Sequence, residues 1–317
     1  MVLLILLGSL VVLFLSIALW YLIFRKPLPF PIPPAPQDRA PAFTFAVYDV
    51  AKPLGVAASA DGTRIYLTQS DGDQATLVLD GLGNRIGVLA PPPTVASRAT
   101  QLYVAVNPTT SEVFASDRLA GQVYVYDADG AYARRFDPGP DLAGWQPLAL
   151  AFDADGILYV TDVAGLFHRV HQFAPDGRLL RSFGAPGVLS FPNGVAVDET
   201  GNVYVSDTND GRLVVFDPSG GQLGVVSRGP TESELGLPVG VAIDEADRVF
   251  VVDSVAHGVQ IYAALRPGDR APEYLTTFGV EGTSDGAFAF PNGIAVDGRG
   301  RVYVADWNND RLQVWSY

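Results

Sequence analysis

The chain has 317 residues, 48% of them hydrophobic and 17% charged, and 34 acidic against 21 basic side chains leave a formal net charge of -13. That balance argues against a nucleic-acid partner, because such affinity rests on Lys and Arg neutralising phosphates. Cysteine is absent, which removes thiolate catalysis, disulfide frameworks and Cys-based zinc or iron–sulfur sites.

The first element in chain order is Val2 to Phe24, an uncharged 23-residue run whose only polar or small interruptions are Gly8, Ser9 and Ser16. As a helix it would reach roughly 35 Å, enough to span a hydrocarbon core of about 30 Å. The run ends in Trp20, Tyr21 and Phe24 instead of a small-residue cleavage site, so residues 1–26 are expected to form an uncleaved, single-pass transmembrane anchor in the cell membrane. Arg25 and Lys26 follow the span and favour a cytoplasmic C-terminal domain. Acidic residues and long domains weigh little in that rule, so the extracytoplasmic topology stays open. Pro27 to Pro41 holds seven prolines, and residues 27–42 read as a stiff, extended linker.

From residue 43 the chain repeats itself. The clearest copies are FPNGVAVDETGNVYVSDTNDGRLVVFDPSG from Phe191 and FPNGIAVDGRGRVYVADWNNDRLQVWSY from Phe290; weaker copies start at Lys52, Gln146 and Leu237. The copy at Thr100 has lost both the Pro and the Gly. Aligned on the aromatic of the second strand, the copies fall at Tyr66, Phe114, Tyr159, Tyr204, Phe250 and Tyr303, with spacings of 48, 45, 45, 46 and 53 residues. That is the period of a four-stranded propeller blade. Short β-rich runs broken by Gly, Asp and Pro, with no helical periodicity after residue 42, give an all-β array of hairpins. Small Gly and Ala in each first strand suit the crowded position around a central channel.

The last copy stops at Tyr317 after its third strand. Phe43 to Tyr48 is expected to supply the missing outer strand by pairing with Leu312 to Trp315, with Phe43, Phe45 and Val47 on one inward face. The expectation is a six-bladed β-propeller over residues 43–317.

The stretch TFGVEGTSDGAFAFPNGIAVDGRGRVYVADWNNDRLQVW resembles the NHL-repeat proteins, which are six-bladed β-propellers, and the resemblance covers about residues 43–317. It implies a binding platform more often than an enzyme. Members serve as extracellular sensor domains and RNA-binding modules, and related propellers are lyases or lactonases, so fold alone leaves function open.

The repeat also supplies plain explanations for conspicuous residues. Asp117, Asp162, Asp207, Asp253 and Asp306 recur at the end of the second strand, with Gln69 in the first copy; a residue present in nearly every blade reads as a loop cap that accepts backbone N–H groups or pairs with Arg212 and Arg311. A related lyase branch binds zinc through histidines. Here His168 and His257 take the register position of Asp310, and His171 takes that of Gln313, with no carboxylate at ligand spacing beside them. No nucleophile elbow, phosphate-binding loop or EF-hand is present, and Lys26 and Lys52 are the only lysines.

What remains is the face formed by the loops leading into each first strand and the loops between second and third strands. Its candidate binding residues are Arg118, Leu166, Phe167, Asn193, Asn209, Asp210, His257, Asn292, Trp307, Asn308 and Asp310. The expected function is a membrane-tethered, non-catalytic scaffold that docks a protein partner or ligand there, without metal or cofactor. The alternative is a calcium-type hydrolase, lactonase or lyase, with Asn and Asp oxygens holding a cation at the channel mouth.

Overall fold

The computed structural model describes residues 39–89, 102–184, 186–229, 231 and 233–317. The Val2–Phe24 run and the linker up to residue 38 lie outside them. Among the described residues, no helix is long and apolar enough to cross a membrane.

Six four-stranded antiparallel sheets make up the domain. In chain order the blades are residues 53–89, 103–135, 147–183, 192–226, 238–278 and 291–316, the last completed by Ala42–Val47. The remaining regular structure described is two three-residue 3-10 turns, Pro140–Leu142 and Trp307–Asn309. Blade 4 shows why the sequence folds this way. Pro192–Val197 leads into a turn in which Asp198 Oδ1 accepts the N–H groups of Thr200 and Asn202, each at 2.9 Å, and the chain reverses into Val203–Asp207. Arg212–Phe216 and Gln222–Val226 follow as the third and outer strands. Five innermost strands open with proline, at 53, 147, 192, 238 and 291, and each pairs irregularly just after it, as a residue without an N–H requires. Blade 2 opens with Tyr103 and pairs without a shift.

Second and third strands are buried on both faces, whereas outer strands such as Tyr132–Arg135 are exposed. The apolar side chains fall into six clusters, each shared by two neighbouring blades, so the core is a ring of inter-blade layers. The layer between blades 6 and 1 joins Tyr303, Leu312 and Val314 to Ile65, Leu67 and Leu79.

Ring closure follows the expected pairing: Ala42–Val47 lies antiparallel to Arg311–Ser316, with Phe43 opposite Trp315 and Val47 opposite Leu312. The expectation of one inward face is corrected. A bulge at Thr44 puts Phe45 opposite Val314, so Phe43 packs with Trp315 toward blade 5 while Phe45 and Val47 pack toward blade 1. The extra residue flips side-chain direction, and the closing strand thereby serves both layers.

Candidate functional site

The innermost strands line the axis. At one equivalent position they carry Gly55, Tyr103, Ala149, Gly194, Gly240 and Gly293. Glycine is needed there because the next blade's backbone comes close: a Cβ on Gly293 would lie 2.2 Å from the Leu54 carbonyl oxygen, and one on Gly194 2.3 Å from that of Val239. Tyr103 instead crosses the channel, with its hydroxyl 2.8 Å from the side-chain oxygens of both Asn193 and Asn292. One phenol proton serves one amide, so the second amide turns its NH2 toward the hydroxyl. Burial pushes the Tyr103 phenol well above its ordinary value, which keeps it a protonated donor. The cavity left on the axis is about 40 Å³, room for no more than a few waters. Asn193 and Asn292 therefore do converge at the channel, as cation binding would need, but on the Tyr103 hydroxyl.

The recurring aspartates act as loop caps. Asp253 accepts the N–H groups of Gly236, Leu237 and Ala256, and Asp162 those of Gln146 and Ala164. Asp207 and Asp306 each accept a guanidinium N–H, from Arg212 at 2.7 Å and Arg311 at 2.8 Å. Gln69 takes the N–H of Ala51 in the first blade. In blades 1 and 3 to 6 these oxygens tie the blade to the loop arriving from the previous one, and in blade 2 Asp117 accepts the N–H of Ala120 in its own loop. Among the described residues, no three His, Asp or Glu side chains are grouped so as to hold a metal ion.

Two of the loop-face candidates, His257 and Asp310, form a second set of ties together with His168. His168 Nδ1 accepts the N–H of Phe191 at 2.7 Å, His257 Nδ1 that of Phe290 at 3.1 Å, and Asp310 Oδ1 that of Lys52 at 3.0 Å. Each of those donors precedes a proline with φ of 60°, 50° and 48° respectively, a strained choice for side-chain-bearing residues. The acceptor offsets that strain by fixing the N–H. His257 also packs edge-on against Phe290, with ring centroids 4.6 Å apart. Trp307 is half-buried: its indole N–H reaches Ser70 and the Lys52 ammonium lies 5.1 Å above its ring. Lys52 further meets Asn308 and Asp310, so Trp307, Asn308 and Asp310 close the seam between blades 6 and 1. Arg118 reaches Gln146 only at 3.5 Å, Asn209 is exposed, and Asp210 pairs with Arg212 at 3.0 Å.

The expectation that no carboxylate stands beside His171 is also corrected. Its Nε2 lies 3.1 Å from Asp162 and its Nδ1 2.7 Å from the Ser182 hydroxyl. Sequence spacing hid this, because the three residues sit on three successive strands and meet only through their register.

Outside these ties, the loop face carries exposed apolar tips. Leu166 is 87% exposed and Phe167 56%, and Leu119, Val255 and Val280 are also exposed. They share one face because in each blade the start of the first strand lies beside the end of the second, as Pro192 lies opposite Asp207. The blade 3 loop is longer: residues 163–168 separate the paired Asp162 and Arg169, where blade 4 uses 208–211 between Asp207 and Arg212. The insertion pushes Leu166 and Phe167 outward.

Comparison with known proteins places the repeat. Residues 189–216 and 288–315 match the NHL repeat. A 42-residue segment is 52% identical to protein lin-41 of Caenorhabditis elegans, spanning 13% of this chain and 4% of that protein. Among solved structures, virginiamycin B lyase from Staphylococcus aureus is similar with a TM-score of 0.59 and 15% identity, over 86% of this chain and 98% of that one. A chain of a nidogen/laminin complex gives a TM-score of 0.59 and 17% identity, over 77% and 84%. At such identities the likeness shows the fold alone, and that fold serves both an enzyme and a member of a protein complex.

Proposed function

We propose that the protein is a membrane-tethered NHL-repeat propeller whose loop face docks a protein partner. The observation that carries this reading is the set of exposed apolar loop tips on one face, led by Leu166 and Phe167. Apolar and aromatic anchors ringed by polar groups are the usual energetic centre of a protein interface. The filled axis adds support, because Tyr103 occupies the amides that a channel-mouth cation would use. The net charge of -13 disfavours a nucleic-acid partner.

The test is a photo-crosslinking amino acid placed at Phe167 and, separately, at Ile86 on the outer strand Arg85–Leu89. Adducts in native membranes are expected from position 167, and they should disappear when Leu166 is changed to Ser. Equal adducts from both positions would refute a docking face. The tether is tested by alkaline extraction: the full chain should stay with the membrane and a chain lacking residues 1–26 should leave it. Arg25 and Lys26 favour the cytoplasmic side for the propeller by the positive-inside rule. Digestion by protease added outside sealed cells would place it on the other side.

A further inference from the structure

Asp162, His171 and Ser182 stand on the second, third and outer strands of blade 3. The imidazole is 1% exposed and Asp162 8%, while Ser182 is open to solvent. Trp145 and Phe173 pack about the imidazole with ring centroids 6.5 and 6.3 Å away. Burial would raise the Asp162 carboxyl, but the bonds from His171, Gln146 and Ala164 outweigh it and hold the group below its usual range. A carboxylate facing Nε2 keeps the ring proton there and leaves the Nδ1 lone pair to accept the Ser182 O–H.

The matching cross-strand positions differ elsewhere. Blade 4 has Val214 opposite Val225, and blade 6 has Gln313 opposite Ala46. Gln313 donates to Asp306 at 3.0 Å, so a glutamine satisfies the cap in that slot without any hydroxyl across the ladder. Histidine with serine is therefore more than the fold requires.

We propose that Ser182 is a nucleophile activated by His171, with Asp162 as the positioning residue, and that it performs acyl transfer from esters. A nucleophile within hydrogen-bond reach of a base, itself oriented by a third group, is the general signature of such activation. In the first half-reaction Oγ bonds to the ester carbonyl carbon, the carbonyl π pair moves to oxygen, and the Ser182 proton passes to Nδ1. Collapse breaks the bond to the alkoxide, which leaves with the proton from Nδ1. Water then bonds to the acyl carbon as the same nitrogen takes its proton; the bond to Oγ breaks, Oγ takes the proton back from Nδ1, and the acid leaves. Among the described residues no strand lies beyond Leu179–Phe183, so N–H groups on that open edge can face a developing oxyanion. This chemistry is independent of the docking face.

The experiment treats the full chain with a fluorophosphonate probe, in which Oγ displaces fluoride at phosphorus and the proton goes to His171. Intact mass and peptide mapping should find one adduct per chain, on Ser182, and none in Ser182→Ala. His171→Gln, which copies the Gln313 solution, should keep the melting temperature while slowing labelling about 100-fold or more. Asp162→Asn still accepts the Gln146 and Ala164 N–H groups but favours the wrong tautomer, so labelling should fall with melting little changed. Absence of labelling, labelling that survives Ser182→Ala, or an unchanged rate in His171→Gln would each overturn the proposal. None of these results depends on whether a partner binds at Phe167.

Discussion

Blade 6 heads its innermost strand with Pro291, Asn292 and Gly293, and blade 2 has Leu102 and Tyr103 in the places of the last two. In blade 6 the glycine lets the Leu54 backbone approach, and the asparagine faces the axis. In blade 2 the tyrosine spans the axis and bonds to asparagines of blades 4 and 6. One repeat position thus holds the smallest side chain where two backbones meet and a large one where the channel must be filled. The pairing teaches that the most degenerate copy is the complement of the best conserved-looking ones, because its departures fit what their regularity leaves empty.

The largest test of that contrast attacks how blade 6 is closed, since its outer strand comes from the other end of the chain. Phe45→Asp places a charge in the layer shared with blade 1, and a cost of roughly 3–5 kcal/mol is expected in denaturant unfolding. A chain lacking residues 1–48 should be destabilised at least as much, and one lacking 1–40 should melt like the intact protein. Equal melting of the two truncations would show that the ring does not depend on this strand.

Gly293→Ala comes next. The added methyl meets backbone and not a movable side chain, so about 2–3 kcal/mol should be lost. The reciprocal Ala149→Gly in blade 3 should cost about 1 kcal/mol or less. Comparable losses would mean that the axis is less crowded in blade 6 than its geometry indicates.

Tyr103→Phe keeps the ring but removes the hydroxyl on which Asn193 and Asn292 converge, and about 1–2 kcal/mol is expected. If the variant also retains calcium measurably by calorimetry where the parent does not, the freed amides are ligands in waiting and the contrast between blades is functional.

The smallest effect concerns Glu112 and Arg134, on the side of blade 2 away from the axis. The Arg134 guanidinium holds the Glu112 carboxyl below its ordinary 4.5. Its contribution is therefore complete above that pH and lost as pH falls through the lowered value. Because Arg134 is about half exposed, roughly 0.5 kcal/mol is expected. The stability difference between the parent and Glu112→Gln should shrink on acidification; a difference that grows would reverse the assignment.

The repeat alone determined the blade count, the strand order, the glycine-lined axis and the closing pairing. These follow from local pattern: a period near 46 residues, alternation within strands, and turn residues at fixed offsets act on neighbours in sequence. The same logic identified the aspartate ring as loop caps, since a feature shared by nearly all blades answers to the blade's own geometry. Only the tertiary structure decided what the odd residues do. The Thr44 bulge redirects Phe43 by one residue of register, which no alternation pattern reveals. Tyr103 meets partners 90 and 189 positions away. Trp307 is clasped by Lys52 from the opposite end of the domain. Asp162, His171 and Ser182 come together because Ser182 lies directly opposite His171 and Asp162 lies diagonally across from it, cross-strand positions about 5 to 8 Å apart whatever their separation along the chain. Sequence pattern places the strands; register within each hairpin and closure of the ring decide which side chains meet.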